Sequence, residues 1–382
     1  MKYYSLSECV SIQRGLTFKK SDVVDNSNFR VLRSNNIDYE TYSFIDKDFS
    51  YLNPNLEIED KYFTKKNDII ICMSTGSKKH LGKTALVSSN SKYVVGGFLS
   101  KISANEEIIN SKYLFYFLKN PKTIKLIHSS VSSMTINNLR KDVLNNLQIP
   151  VPSLQEQEKI VERLDKFFEN IDTVINQKIT LNNQYKKYIN SYIEKEIFQE
   201  KNQVMLKDLI NVKRENIKNY IDRFVGLENI VSNTSEVVNV ESMAVKSNTY
   251  KFNKGSLLYG RLRPYLNKVT IVDFDGHCST EIIPIETTKE LNIKYLKYFL
   301  MTQKTVNKIN VQTKGARMPR ASVSVLENLK IDLKNEKEQS KNVEIFDNIT
   351  TLIQNIVKVN LKIIENSNQL KKLVLNKEFS YE

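Results

Sequence analysis

Lys112-Tyr113-Leu114-Phe115-Tyr116-Phe117-Leu118 recurs 182 residues later as Lys294-Tyr295-Leu296-Lys297-Tyr298-Phe299-Leu300. At the same offset Val143-Leu144-Asn145-Asn146-Leu147-Gln148-Ile149 returns as Val325-Leu326-Glu327-Asn328-Leu329-Lys330-Ile331. Glu156-Gln157, Val161-Glu162, Asp165 and Ile171 return as Glu338-Gln339, Val343-Glu344, Asp347 and Ile353. Across residues 111–172, 21 of 62 ungapped positions are identical, so the chain is an internal duplication. Leu6, Glu8 and Arg14 match Leu206, Asp208 and Arg214 at a different offset, which leaves roughly 15–110 and 215–290 as the dissimilar parts of the two halves.

The similar ends of the halves read as helices. Ser153-Leu154-Gln155-Glu156, directly after Pro152, has the spacing of a capping box, and Asn335-Glu336-Lys337-Glu338 repeats it with an asparagine cap. Beyond each cap, apolar residues recur every 3.5 positions. Leu164, Ile171, Lys178, Tyr185 and Tyr192 hold one heptad position of the first helix, with Phe167, Val174, Leu181 and Tyr188 at the other. Phe346, Ile353, Asn360, Ser367 and Val374 pair with Ile349, Ile356, Ile363 and Leu370 in the second. Four heptads in phase indicate an antiparallel coiled coil, in which Lys178 and Asn360 are expected to face each other. Its seam is assigned to Leu164, Ile171, Lys178, Leu181, Phe346, Ile353, Asn360 and Ile363.

The dissimilar segments carry short β-type runs at 68–73, 84–87, 93–95, 256–259, 269–273 and 281–285, with helices over 111–120 and 293–302. The predicted fold is α+β: two mixed α/β domains alternating with two long helices, related by a pseudo-two-fold duplication. The expected boundaries are 1–152 and 201–334 for the domains, and 153–200 and 335–382 for the helical regions.

The 382 residues include 57 Lys and Arg against 43 Asp and Glu, a net charge of +14 that favours a polyanionic partner such as nucleic acid. Three scattered cysteines (Cys9, Cys72, Cys278) and three isolated histidines (His80, His128, His277) give neither a disulfide framework nor a zinc-ligand spacing, so no metal site is assigned. No apolar run reaches membrane-spanning length and the start lacks a signal-peptide core, so a cytoplasmic chain without a membrane partner is expected. Gly76 to Thr84 resembles a phosphate-binding loop, but five residues separate Gly76 from Gly82 where that loop needs four. With no methyl-transfer tetrapeptide and no nuclease cluster, catalysis is not indicated.

What remains is a set of polar and basic loops at matching places in the two halves. Ser77, Lys78, Lys79, His80 and Lys83 lie on one loop of the first half, and Asn138, Arg140 and Lys141 on another. Arg261, Arg263 and Lys268, with Lys314, Arg317 and Arg320, are their counterparts in the second. These side chains hydrogen-bond phosphates and base edges, so they are the candidate DNA-binding residues.

The arrangement resembles the specificity subunits of type I restriction–modification systems. The resemblance is carried by Ile149-Pro150-Val151-Pro152-Ser153-Leu154-Gln155-Glu156-Gln157-Glu158-Lys159-Ile160-Val161 and by Lys66-Asn67-Asp68-Ile69-Ile70-Ile71 before the Gly-Ser loop. In the second half Asp332-Leu333-Lys334-Asn335 stands where the prolines are, and Glu338-Gln339 remains. The resemblance implies that each domain reads one half of a bipartite double-stranded DNA target while the helices set the spacer and dock partner subunits. It implies no catalytic residues in this chain and no cofactor of its own. S-adenosylmethionine would belong to two methyltransferase (modification) subunits, and ATP and Mg to restriction/translocase subunits. A duplicated coiled-coil scaffold that binds proteins without reading DNA is the alternative.

Overall fold

The structure, a computed structural model, describes residues 2–38, 41–89, 92–130, 137–313 and 318–380. The chain forms two compact units. The first contains residues 1–177 together with 362–382, and the second contains residues 178–361.

In the first unit, Val10–Arg14, Leu99–Ala104, Ile69–Cys72 and Thr84–Leu86 form an antiparallel sheet in that order. The run Ile69–Cys72 is apolar throughout because both its faces are covered. Ile69 and Ile71 pack with Tyr113, Leu114 and Ile127 of the helices Ser111–Leu118 and Pro121–Ser129. Ile70 and Cys72 turn the other way, into a cluster with Leu32 and Val95. Those two residues belong to a smaller sheet of Val23–Val24, Ser50–Leu52, Phe29–Leu32 and Val94–Val95, whose last pair is parallel.

The second unit repeats the plan. Ile210–Val212, Ile282–Thr287, Leu257–Gly260 and Val269–Ile271 form its antiparallel sheet. Its smaller sheet has five strands, Asn216–Ile217, Thr249–Phe252, Gly276–Ser279, Ile221–Val225 and Glu241–Ala244, again with one parallel pair. Helices Ile293–Met301 and Gln303–Val311 match those of the first unit.

The two long helices are Leu154–Ile197 and Glu336–Glu378. Asn335 caps the second through a reciprocal box: its Oδ1 accepts from the Glu338 amide at 2.9 Å, and its own amide donates to Glu338 Oε2 at 3.4 Å. The repeated glutamine of each helix is fully buried. Gln157 Nε2 donates to the carbonyls of Ile108 (3.0 Å) and Pro152 (2.9 Å), and its Oε1 accepts from the Asn110 amide at 2.8 Å. Gln339 makes the same three bonds, to Glu290, Lys334 and Asn292, each at 2.8 Å. Asn110 and Asn292 in turn cap the helices at 111 and 293. Asp165 then accepts from Tyr116 (2.6 Å) and Lys112 (2.7 Å), and Asp347 from Tyr298 (2.6 Å) and Lys294 (2.9 Å). The repeated residues are therefore a hydrogen-bonded bracket that fastens a long helix to its domain.

Within the first unit the helices run antiparallel, since Arg163 meets Glu378 at 3.1 Å while Asp172 meets Lys371. Leu375 joins the core of that unit, Asn120 Nδ2 donates to its carbonyl at 2.9 Å, and Phe379 packs on Tyr113 and Phe117. Within the second unit Asn182 meets Asn360, and Tyr192 meets Phe346, which is again antiparallel.

Leu164 and Phe346 are buried, and Ile171, Lys178, Leu181, Ile353 and Ile363 are half-buried. The second heptad position of the first helix lies one residue later than the periodicity suggested. Phe168, Asn182 and Ile189 turn inward, whereas Val174 is exposed and Tyr188 is 80% exposed. In the second helix Leu370 is exposed and its neighbour Lys371 is half-buried. Asn360 Nδ2 donates to Asn182 Oδ1 at 2.7 Å, so its partner is the residue one turn beyond Lys178. Both amides are nearly inaccessible, at 5% and 7% exposure.

Two predictions follow from these buried amides. Gln157→Ala or Gln339→Ala leaves three main-chain groups without a partner, each costing about 1–3 kcal/mol if it stays dry. Thermal unfolding is expected to start earlier in the unit that carries the change. Asn182→Leu or Asn360→Leu alone strands the opposite amide and is expected to destabilise by about 1–3 kcal/mol in denaturant titration. The double leucine variant, with no polar group left at the seam, should recover most of that loss.

Candidate nucleic-acid interface

In each unit the two basic loops meet through a short antiparallel ladder. Asn137 and Asn138 pair with Thr75 and Ser74, and the Leu139 amide donates to the Met73 carbonyl at 2.7 Å. In the second unit Leu262 bridges Arg320, the Arg263 amide donates to Pro319 at 2.8 Å, and the Ala321 amide donates to Arg261 at 2.9 Å. Segments more than 50 residues apart are thus joined at the same place in both domains.

The candidate side chains divide by what they touch. Ser77 and Lys78 are exposed on the turn Lys78–His80, and His80 is half-buried. Asn138, Arg140 and Lys141 are exposed. Arg140 faces Asp142 at 3.3 Å, but both side chains are mostly in water, where such a pair is weak. Arg263 is exposed and adopts the left-handed region (φ 51°) immediately before Pro264. That backbone costs of order 1 kcal/mol or more and is held by the ladder bond to Pro319, which fixes where the guanidinium emerges. Lys314 and Arg317 lie outside the described residues, as does the side chain of Lys79.

Three candidates serve the protein itself. Lys83 is buried and its Nζ donates to the Ile37 carbonyl at 2.8 Å; burial lowers its pKa, and no approach to DNA is open to it. Lys268 Nζ reaches the Leu227 carbonyl at 2.5 Å and braces the turn Leu227–Asn229. Arg320 lays its guanidinium on the Glu281 carboxylate, with Nε at 2.9 and 3.1 Å and Nη2 at 2.8 Å. Arg261 is partly engaged in the same way, donating through Nε to the Ala321 carbonyl at 3.1 Å. Sequence position shows a basic residue on a loop but not the direction of its side chain, and here direction decides the role.

The phosphate-loop lookalike is likewise structural. The Gly82 amide donates to Cys72, and the Lys83 carbonyl accepts from the Cys72 amide, each at 2.9 Å, so these groups belong to the sheet rather than to an anion cradle. His128 Nε2 sits 3.0 Å from the Leu81 carbonyl, and His277 Nε2 lies between the carbonyls of Asp222 and Met243. Among the described residues, no group of three or more His, Cys, Asp and Glu side chains could hold a metal ion, and no helix is long and apolar enough to cross a membrane.

Exposed apolar side chains beside the ladders escaped the sequence reading. Phe98 is 67% exposed, and its carbonyl accepts from the amides of Met73 and Ser74. Glu281 occupies the matching place in the second unit, where its carbonyl accepts from the Arg261 amide. Tyr265 and Met318 are also exposed there. The Gly96-Gly97 pair before Phe98 was the available signal, since adjacent glycines mark a close main-chain approach.

The chain is 29% identical over 171 residues to the StySPI specificity subunit of a type I restriction enzyme from Salmonella potsdam, covering 44% of this chain and 36% of that protein. It is 23% identical over 266 residues to the EcoDI specificity subunit of Escherichia coli, covering 57% and 59%. The chain thus spans about a third of the length of the Salmonella relative that it matches. Its fold is similar to a chain from a structure of a type I R-M system (TM-score 0.75, 14% identity, 99% of this chain and 97% of the other). It is also similar to the HsdS subunit from Thermoanaerobacter tengcongensis (TM-score 0.52, 14% identity, 99% and 96%). The sequence pattern of the type I restriction modification DNA specificity domain matches residues 1–183 and again 195–365, and with both halves of the duplication covered, the chain belongs to that family.

Proposed function

We propose that this chain is the DNA-recognition subunit of a type I restriction–modification complex, each domain reading one half of a bipartite duplex target. The observation that carries the reading is the polar ladder built at the same place in both domains, within a family of DNA specificity domains. A net charge of +14 supplies the phosphate attraction that such a reader needs. Ser77, Lys78, Asn138, Arg140 and Lys141 are assigned to one half-site and Arg263, with partial help from Arg261, to the other.

The chain performs no chemistry itself in this reading. Two methyltransferase subunits carrying S-adenosylmethionine dock on it and methylate one adenine in each half-site, while restriction/translocase subunits add ATP- and Mg-dependent translocation and cleavage. The long helices set the spacing of the half-sites, and the complex works in the cytoplasm.

Duplex binding by the purified chain is expected to weaken steeply as salt rises, which a protein-binding scaffold would not show. Arg263→Ala should cost about 1–3 kcal/mol and relax one position of a single half-site in a map of methylated adenines. Arg320→Ala is expected to act differently, loosening the ladder with Glu281 and weakening that half-site as a whole. The purified chain alone should transfer no methyl group, and transfer by it would overturn the assignment.

A further inference from the structure

Two arginines outside the basic loops hold the same position in the two domains. In each smaller sheet the one parallel pair of strands is a fixed landmark: Val31 lies opposite Val94 and Leu32 opposite Val95, while Phe224 lies opposite His277 and Val225 opposite Cys278. The residue immediately before that landmark is Arg30 in the first domain and Arg223 in the second. The five-residue stretches Asn28-Phe29-Arg30-Val31-Leu32 and Ile221-Asp222-Arg223-Phe224-Val225 match only at the arginine, and the next match at this offset is Asn36-Ile37 with Asn229-Ile230.

Both side chains are exposed and both rest on aromatic rings. The Arg30 guanidinium lies 5.3 Å from the Tyr93 ring and 5.8 Å from Phe49, and those two rings stack at 5.5 Å with 16° between their planes. Arg223 lies 4.4 Å from Phe274, which packs edge-on against Phe252 at 5.9 Å. A guanidinium held against a supported ring loses rotamer freedom while its N–H donors remain available. The main-chain amide of Arg223 donates to Asp222 Oδ1 at 2.7 Å, but its guanidinium has no hydrogen bond or ion pair among the described residues. Among the described residues the Arg30 guanidinium has one polar partner, Asp46 at 3.8 Å, and that carboxylate is 74% exposed, so water screens the pair. Arg320 is the contrast, because its fork is closed on Glu281.

We propose that Arg30 and Arg223 are DNA-contacting residues, one for each half-site, each presenting its fork to two adjacent acceptor atoms on the duplex. Those acceptors are N7 and O6 of a guanine or two oxygens of one phosphate, the two groups that match the fork in shape. Support of the sheet alone does not account for them, since a structural ring contact needs no outward-facing fork at the same register position of both domains. The smaller sheet thereby becomes a second contact element in addition to the ladder.

The inference rests on the DNA-recognition reading, and one experiment separates them. The full chain, assembled with its methyltransferase partners, is titrated against a mixed-sequence duplex at low and at physiological salt, and methylated adenines are mapped in cells carrying each variant. Arg30→Ala and Arg223→Ala are each expected to weaken binding by about 5-fold or more. Arg30→Gln and Arg223→Gln, which keep a polar stem on the rings, should show the same loss and decide the matter where alanine disturbs the sheet. A guanine contact relaxes one position of one half-site. A phosphate contact leaves the map intact, lowers affinity for every sequence and reduces the salt slope by about one. Glutamine variants that match the original chain in both affinity and map overturn the proposal while leaving DNA recognition standing. Absence of salt-dependent binding by the original complex overturns DNA recognition itself.

Discussion

A buried primary amide has two donors and an acceptor that must all be satisfied, and Gln157 and Gln339 satisfy them on three main-chain groups each. That requirement welds the first turn of a long helix to the turn that starts the helix at 111 or 293. The Asp165 and Asp347 carboxylates add a second fastening two turns further on. With the helix held at two points, its direction relative to its own domain is set, and so is the position from which the basic loops of that domain emerge. Because the glutamine bonds run to backbone atoms, the neighbouring side chains are free to differ between the halves without loosening the bracket.

The Asp347 carboxylate shows how the bracket balances burial against charge. Burial alone would raise its pKa; the bonds from Tyr298 and Lys294, together with the nearby Lys297 ammonium, outweigh burial and hold it below the usual carboxylate range. A carboxylate lowered in this way stabilises the fold above its ordinary pKa, and that contribution is lost as the pH falls through the lowered value. At neutral pH the second bracket is therefore fully formed.

The duplication, the helix caps and the central strands were legible because each is a local pattern. The repeat at 112–118 and 294–300 and the run at 69–72 have the right composition wherever they fold. The phase of the first helix was less legible, since Phe167 and Phe168 are both aromatic and Val174 and Ile175 both aliphatic. Hydrophobicity cannot choose between such neighbours; it favoured Leu181 over Asn182, which the fold buries, while Ile189, which also turns inward, stands beside the exposed Tyr188. The ladders were invisible because they join segments far apart in the chain. The roles of Lys83, Arg320, Arg30 and Arg223 depend on a carbonyl, a carboxylate or a ring supplied by such distant segments. Composition placed basic residues on the loops, and only tertiary contact separated those that brace the protein from those that face outward.

The first unit is finished by residues from the far end of the chain: Leu375 enters its core, its carbonyl accepts from Asn120, and Phe379 covers Tyr113 and Phe117. During synthesis the segment up to residue 177 must therefore wait while nearly 200 further residues are made. At ~5–20 residues per second that interval is on the order of 10–40 s. Throughout it, Tyr113, Phe117 and the surrounding apolar face lack their cover, whereas the second unit is contiguous in the chain and can close as soon as residue 361 emerges. The order of closure is thus the reverse of the order of translation, and the period of greatest exposure to aggregation or to a chaperone falls on the half that was made first.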